Sequence, residues 1–290
     1  MKLLLAAMVF VLSSVVTMSS AATLVPPAPE ILDPELKPET LAAFARYVEA
    51  TEARIDQQQS RPDSFLYIDR LSEPQRSQIL AGLKRGEIYM APIETRDGSG
   101  RVIRARGALI HHWIGDVFVP GTSLRQVLDL VQDYNRHQEI YQPEVVRSRL
   151  VSHTADDFKI FYRLRKHKVI TVTLDTDMDV HYQRVDEAHW VSRSASTRIA
   201  EVVDAGAPGE HEKPVGHDSG FLWRMNSYWR FVQGDGGVTI ECESISLTRD
   251  IPTGLGWLIG PFVTSVPKES LEHTLGSTRS VLMAKVASAR

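Results

Sequence analysis

Between Asp157 and Arg249 the apolar residues recur at every second position, and no other feature limits the fold as strongly. In "VITVTLDTDMDV" (169–180), Ile170, Val172, Leu174, Met178 and Val180 take one side. Thr171, Thr173, Asp175, Asp177 and Asp179 take the other. A strand with one apolar and one polar side belongs to an antiparallel sheet with one wet face. "HWVSRSASTRIAEV" (189–202) continues the pattern. "FLWRMNSYWRFVQ" (221–233) sets Phe221, Trp223, Met225, Trp229 and Phe231 against Leu222, Arg224, Asn226, Tyr228 and Arg230. The turn "GDGG" then leads into "VTIECESISLTRDI" (238–251). Such a sheet must bury its apolar face. The sequence supplies one long helix for the purpose, starting near Pro267, with Leu271, Leu275, Thr278, Leu282 and Val286 on a single stripe.

Upstream, "GALIHHWIGDVFVPG" (107–121) reads as a further strand. Ser123 and Gln126 form a capping-box pair. The helix they open puts Leu124, Val127, Leu128, Val131 and Tyr134 on one side and stops around Tyr141-Gln142-Pro143. Residues 39–59 are helical in period, with Leu41, Phe44, Val48 and Ile55 as the apolar positions. Residues 71–84 predict a second helix capped by Ser72, and "RDGSGR" (96–101) a turn.

At the start of the chain, Lys2, the apolar run Leu3–Val16 and "TMSSAAT" match a secretory signal peptide, with Ser20 and Ala22 before the cut. The expected organisation is a signal peptide at 1–22, a proline-rich lead and helical extension at 23–105, and a main domain at 106–290. The expected location is periplasmic or secreted. The single cysteine, Cys242, excludes an intramolecular disulfide and a cysteine zinc site, so the core alone must hold the fold. A net charge of −3 offers no basic footprint for nucleic acid.

The strand-to-helix entry "VFVPGTSLRQVLDLVQDY" and the ending "ISLTRDIPTGLGWLIGPFVTSVPKESLEHTL" resemble the START-like (SRPBCC, Bet v1-like) superfamily, over roughly residues 107–290. The resemblance implies an α+β helix-grip fold: a curved antiparallel sheet of about six to seven strands wrapped on the long C-terminal helix. It also implies a cavity between the two for a hydrophobic small molecule or lipid. Relatives on this scaffold include carriers as well as cyclases, dehydratases and hydrolases, so both an exported carrier and an enzyme on a hydrophobic substrate stay open. Export and the helical extension depart from the simple domain.

If strand parity holds, Tyr162, Met178, Trp223, Met225, Trp229, Ile240 and Cys242 share the cavity face, with Cys242 a small buried apolar residue. His111 and His112 must point to opposite faces, so at most one reaches the cavity and the two cannot chelate together. Ser192, Ser194, Ser196 and Arg198 share a side. That side is either wet or a polar patch inside the cavity, where an arginine would need an anionic partner. His211 and His217 lack the converging ligands of a metal site, and no metal or cofactor is expected. "DIPTGLGWLIGPF" (250–262) reads as a glycine-rich apolar loop beside the cavity mouth. Its apolar side chains either plug the end of the core or form a mobile gate, from which Trp257 and Leu258 are the candidates for touching ligand, or a membrane surface in passing.

Overall fold

The computed structural model describes residues 35–61, 64–251, 254 and 256–288, with the side chains of 258, 259 and 262 excepted. The expected signal peptide and most of the proline-rich lead lie outside the described residues. In chain order the elements are α1 (Pro38–Gln59), α2 (Gln75–Arg85), β1 (Tyr89–Pro92), β2 (Ala108–Pro120), α3 (Leu124–Val131), α4 (His137–Ile140), β3 (Val145–Thr154), β4 (Asp157–His167) and β5 (Thr171–Arg184). They continue with β6 (His189–Val203), β7 (His211–Glu212), β8 (Arg224–Gly234), β9 (Gly237–Arg249), α5 (Gly256–Thr264) and α6 (Val266–Ser288). The strands form one open antiparallel sheet in the order β1-β2-β9-β8-β6-β5-β4-β3, with β7 paired to β6. One face of this sheet packs on α6, as the two periodicities predict, in the helix-grip arrangement that the resemblance implies.

α6 buries the expected stripe of Leu271, Leu275, Thr278, Leu282 and Val286. They meet Val117, Val119, Phe231, Val238, Ile240 and Met178 of the sheet in the main core. Gly115 sets how closely the helix approaches β2: a Cβ there would lie 2.6 Å from Leu275 Cδ1 and collide with Met90. Ser123 caps α3 as the sequence predicts. Its hydroxyl accepts from Gln126 N–H at 3.3 Å while the Gln126 amide oxygen accepts from Ser123 N–H at 2.9 Å.

Three elements differ from expectation. β1 comes from the segment read as helical extension: four residues ending in proline are too short for periodicity, yet they pair with Trp113–Asp116 at the sheet edge. Together with the two-residue β7 this makes nine strands among the described residues instead of six or seven. The second helix starts at Gln75, not Leu71, and ends where Gly86 adopts a left-handed φ of 94°. Finally, residues 256–264, read as a loop, are helical despite Pro261. The hydroxyls of Thr264 and Ser265 donate to the carbonyls of Gly260 and Pro261 at 2.8 and 2.9 Å and carry the turn into α6.

The opposite face of the sheet is covered by α1. Ala43, Phe44, Tyr47 and Ile55 pack with Trp223, Tyr228, Ile245 and Leu247. Beside this apolar patch lies a buried ionic cluster. Arg230, 1% exposed, donates from Nε to Glu241 at 2.6 Å and from Nη2 to Glu243 at 2.7 Å; both carboxylates are fully buried. Glu243 also accepts from His112 Nε2 at 2.6 Å and from Arg54 of α1. Glu241 accepts from the Tyr67 backbone N–H at 2.7 Å. Tyr47 hydrogen-bonds His112 Nδ1 at 2.9 Å and accepts from Thr95 N–H at 3.0 Å. Residues 38–67 are therefore tied to β2, β8 and β9 by charge as well as by apolar contact.

Candidate functional site

Between the sheet and α6 lies a cavity of about 270 Å³. Its apolar wall comes from alternate residues of β5 (Leu174, Met178, Val180), from Met225 and Trp229 of β8, and from Leu271 of α6. The side-chain period of two puts them on one face. The same period carries a row of hydroxyls into the cavity. Ser194 of β6 pairs with Ser227 of β8, and Ser227 with Ser244 of β9, so all three lie side by side across the floor. Ser194 Oγ and Ser227 Oγ are 2.6 Å apart. Ser246 and Thr248 extend the polar strip along β9.

A cluster of phenols and one imidazole closes another part of the wall. Tyr162 of β4 lies 2.6 Å from Nδ1 of His137 at the start of α4, and the two rings stack. Tyr134 and Tyr182 share a hydrogen bond of 2.9 Å, and the Tyr182 hydroxyl also donates to the Val131 carbonyl at 3.3 Å. Tyr141 reaches Thr278 Oγ1 on α6 at 3.1 Å. Burial pushes the Tyr141 phenol up to about 12 and raises Tyr134, Tyr162 and Tyr182 as well, so all four keep their protons at neutral pH. Burial also drives the His137 imidazole down to about 4, against a weaker opposing pull from the Leu130 and Val131 carbonyls, and the ring is neutral. Glu144 and Lys166 form an ion pair at the edge of the cavity. His273 of α6 also lines it, with Nε2 buried and unpartnered.

Of the residues the sequence singles out, Tyr162, Met178, Met225, Trp229 and Cys242 line this cavity. Ile240 is buried on the same face but belongs to the core under α6, clear of the lining. Trp223 does not share that face. It precedes the first residue of β8, where strand parity has not begun; its ring packs with α1, and Nε1 donates to Asp218 at 3.0 Å. Arg198 is also misplaced by parity. A bulge at Thr197 pairs Asp177 with Arg198 but Met178 with Ser196. That single extra residue turns Arg198 to the outer side, where it binds Asp177 and Glu212.

His111 and His112 do point to opposite faces. His112 enters the ionic cluster under α1 and has no access to the cavity. His111 lies on the α6 face, 3.0 Å from the hydroxyl of Thr248, and burial pushes it down to about 4. Trp257 is 62% exposed on α5, while the side chain of Leu258 lies outside the described residues. Asp175, read as water-facing, is buried in a bidentate pair with Arg163 at 2.7 and 2.8 Å.

Ser192 and Ser194 line the cavity, one of the two readings the sequence leaves open for their side, whereas sequence reasoning missed Ser227, Ser244, the phenols other than Tyr162, His137 and His273. Ser244 and Ser246 continue the parity of Ile240 and Cys242, and Tyr182 continues that of Met178 and Val180. Extending each face past its last apolar residue is the signal that would have found them. His137 opens the one-turn helix α4 and Tyr141 caps its end, a segment too short to carry a periodic signal.

No protein-family model matches the chain, and no curated protein matches it in sequence. Among solved structures, a STAR-related lipid transfer protein from Xanthomonas axonopodis is 18% identical, with a TM-score of 0.42 over 66% of this chain and 98% of that one. The Zhui aromatase/cyclase from a Streptomyces is 13% identical, with a TM-score of 0.37 over 61% of this chain and 96% of that one. A START superfamily protein from Mycobacterium smegmatis is 11% identical, with a TM-score of 0.36 over 63% of this chain and 99% of that one. These likenesses are distant, and the chemistry of the cavity is read from its own residues.

Proposed function

We propose that this chain binds or carries a compact hydrophobic small molecule in the cavity between the sheet and α6. The observation that carries the proposal is the cavity itself: apolar walls with a few placed hydroxyls, the composition of small-molecule sites. Its 270 Å³ is at the small end of the roughly 300–1,000 Å³ such sites occupy. That volume suits a few fused rings or one short chain better than a two-chain phospholipid. Affinity would come mainly from apolar surface removed from water, about 25 cal/mol per Å² before the costs of association. Trp257, exposed on α5 just before the first turn of α6, supports a contact with ligand or a lipid surface during exchange.

An enzyme on the same scaffold needs a proton-transfer group aimed at the substrate. His112 and Arg198, two of the three candidates from sequence, face away from the cavity. His111 is hydrogen-bonded to Thr248, and His137 is held neutral with Nδ1 bonded to Tyr162. Among the described lining residues His137 and His273 each have an unpartnered Nε2 and are the imidazoles left for such a role, and the carrier reading stands ahead of it.

The test is solvent extraction and mass spectrometry of ligand from protein purified out of its native source, paired with titration of the fluorescent probe N-phenyl-1-naphthylamine. Trp229→Ala should weaken probe binding at least about fivefold while the circular dichroism of the fold is kept, since it removes a large ring from the wall. If the variant unfolds, or binds the probe as well as the parent does, that face is ordinary core. Export belongs to the same proposal and rests on the pattern of residues 2–22. N-terminal sequencing of the mature protein should begin near Ala22 or Thr23, and a retained Met1 on a membrane-bound form would refute it.

A further inference from the structure

The direction of each hydrogen bond in the phenol cluster says what a ligand must bring. Thr278 Oγ1 donates to the Thr274 carbonyl at 2.8 Å, so the 3.1 Å bond to Tyr141 can only be a donation from the phenol. Tyr182 donates to the Val131 carbonyl, so Tyr134 donates to Tyr182. Tyr182 is paired with Ser192 across β5 and β6. The 2.6 Å bond between Tyr162 and His137 Nδ1 runs in the direction the His137 tautomer sets, and Nε2 of that ring meets no hydrogen-bond partner.

The phenolic protons of Tyr134, Tyr141 and Tyr182 are thus committed to the protein, whereas Tyr134 and Tyr141 keep oxygen lone pairs on the cavity wall. From this we infer that the cavity selects a neutral hydrophobic ligand carrying a hydrogen-bond donor, an alcohol or a phenol, and discriminates against the corresponding ether or ketone. The inference rests on the binding function proposed above and deepens it. An alcohol placed against the cluster finds an acceptor at no rearrangement. A ketone or ether oxygen set against Tyr134 and Tyr141, away from the serine row, meets only lone pairs and gives up its water without replacement, which is the costly case for a buried polar group. An anionic ligand meets the same wall with more charge. Among the described lining residues a cationic amine finds no free counter-ion, because Glu144 is already paired with Lys166.

Calorimetric titration at neutral pH with 2-naphthol, 2-fluoronaphthalene and 2-methoxynaphthalene tests this directly. All three share the ring system; fluorine is similar in size to the hydroxyl and carries no proton. The naphthol should bind about fivefold to tenfold more tightly than the fluoro compound, against its greater affinity for water, and the methyl ether most weakly of the three. At least one of Tyr134→Phe and Tyr141→Phe should remove most of the naphthol's advantage and leave 2-fluoronaphthalene unchanged. If all three compounds bind equally, or the ether binds best, donor selection is wrong while the hydrophobic cavity stands. If the preference is found but survives both substitutions, the hydroxyl is read elsewhere and the inference fails. If none of the three binds, the binding function itself falls, and this inference with it.

Discussion

Glu243→Ala is expected to destabilise the protein by about 3–5 kcal/mol, the cost of leaving buried cations without their anion. Glu243 is fully buried and is contacted by three nitrogen donors: Arg230 at 2.7 Å, His112 at 2.6 Å and Arg54. Those contacts hold its carboxyl down at about 2, against the opposing effect of burial. Alanine would leave the guanidinium of Arg230 with Glu241 alone and bring Arg54 to a hole with nothing to bind. For a chain of this size the loss corresponds to a fall in Tm on the order of 10 °C. The matched control is Asp179→Ala, which breaks the exposed pair with Lys159 at 2.9 Å and should cost less than about 1 kcal/mol. Thermal unfolding of both variants decides it. If they fall by the same small amount, the cluster does not tie α1 to the sheet, and the extension is held by its apolar contacts alone.

The same cluster shows where sequence reasoning stops. The alternation of 238–251 separates Glu241 and Glu243 from Ile240 and Cys242 correctly, but a polar side of a strand reads as a wet side. Here it is dry, because α1 covers it, and nothing in a local period announces which distant helix will do so. Parity also carries only as far as the strand is regular. It places Met178, Met225 and Trp229 together on the cavity face, and it fails at Arg198 beyond one bulge and at Trp223 one residue before the strand. The stripe of α6 is legible because five apolar or small residues at helical spacing leave no competing face. Helix α5 is not, since two glycines and Pro261 argue against a helix on intrinsic preference, and the hydroxyl bonds that support it lie at its far end. The identity of the cavity's polar groups is the least legible of all, because serine and tyrosine on a strand can face either water or ligand.

Acidification is expected to destabilise the protein between pH 6.5 and pH 4 through His137. Folding lowers its pKa from 6.5 to about 4, mainly by burial among aromatic rings. A group whose pKa is depressed by folding contributes its full stability above the unfolded value and loses it as the pH falls towards the folded value. A lowering of this size is worth about 3 kcal/mol. The groups hydrogen-bonded or stacked on the ring are the phenols of Tyr134, Tyr141 and Tyr162, which stay neutral in this range and offer a proton on His137 no counter-charge. His112, also lowered chiefly by burial, and His111 add slopes of the same sign. Asp116 acts in the opposite sense: burial and the neighbouring Glu241 raise its pKa, so its contribution grows as the pH falls. A single curve therefore mixes these groups with other raised carboxylates, Glu241 and Asp218 among them, and the test has to be a difference. Urea unfolding at several pH values should show that His137→Asn, whose side-chain amide can still hydrogen-bond Tyr162, depends on pH less steeply than the parent by about one proton over this interval. Equal slopes in the two proteins would mean that the ring is not held neutral in the folded cavity.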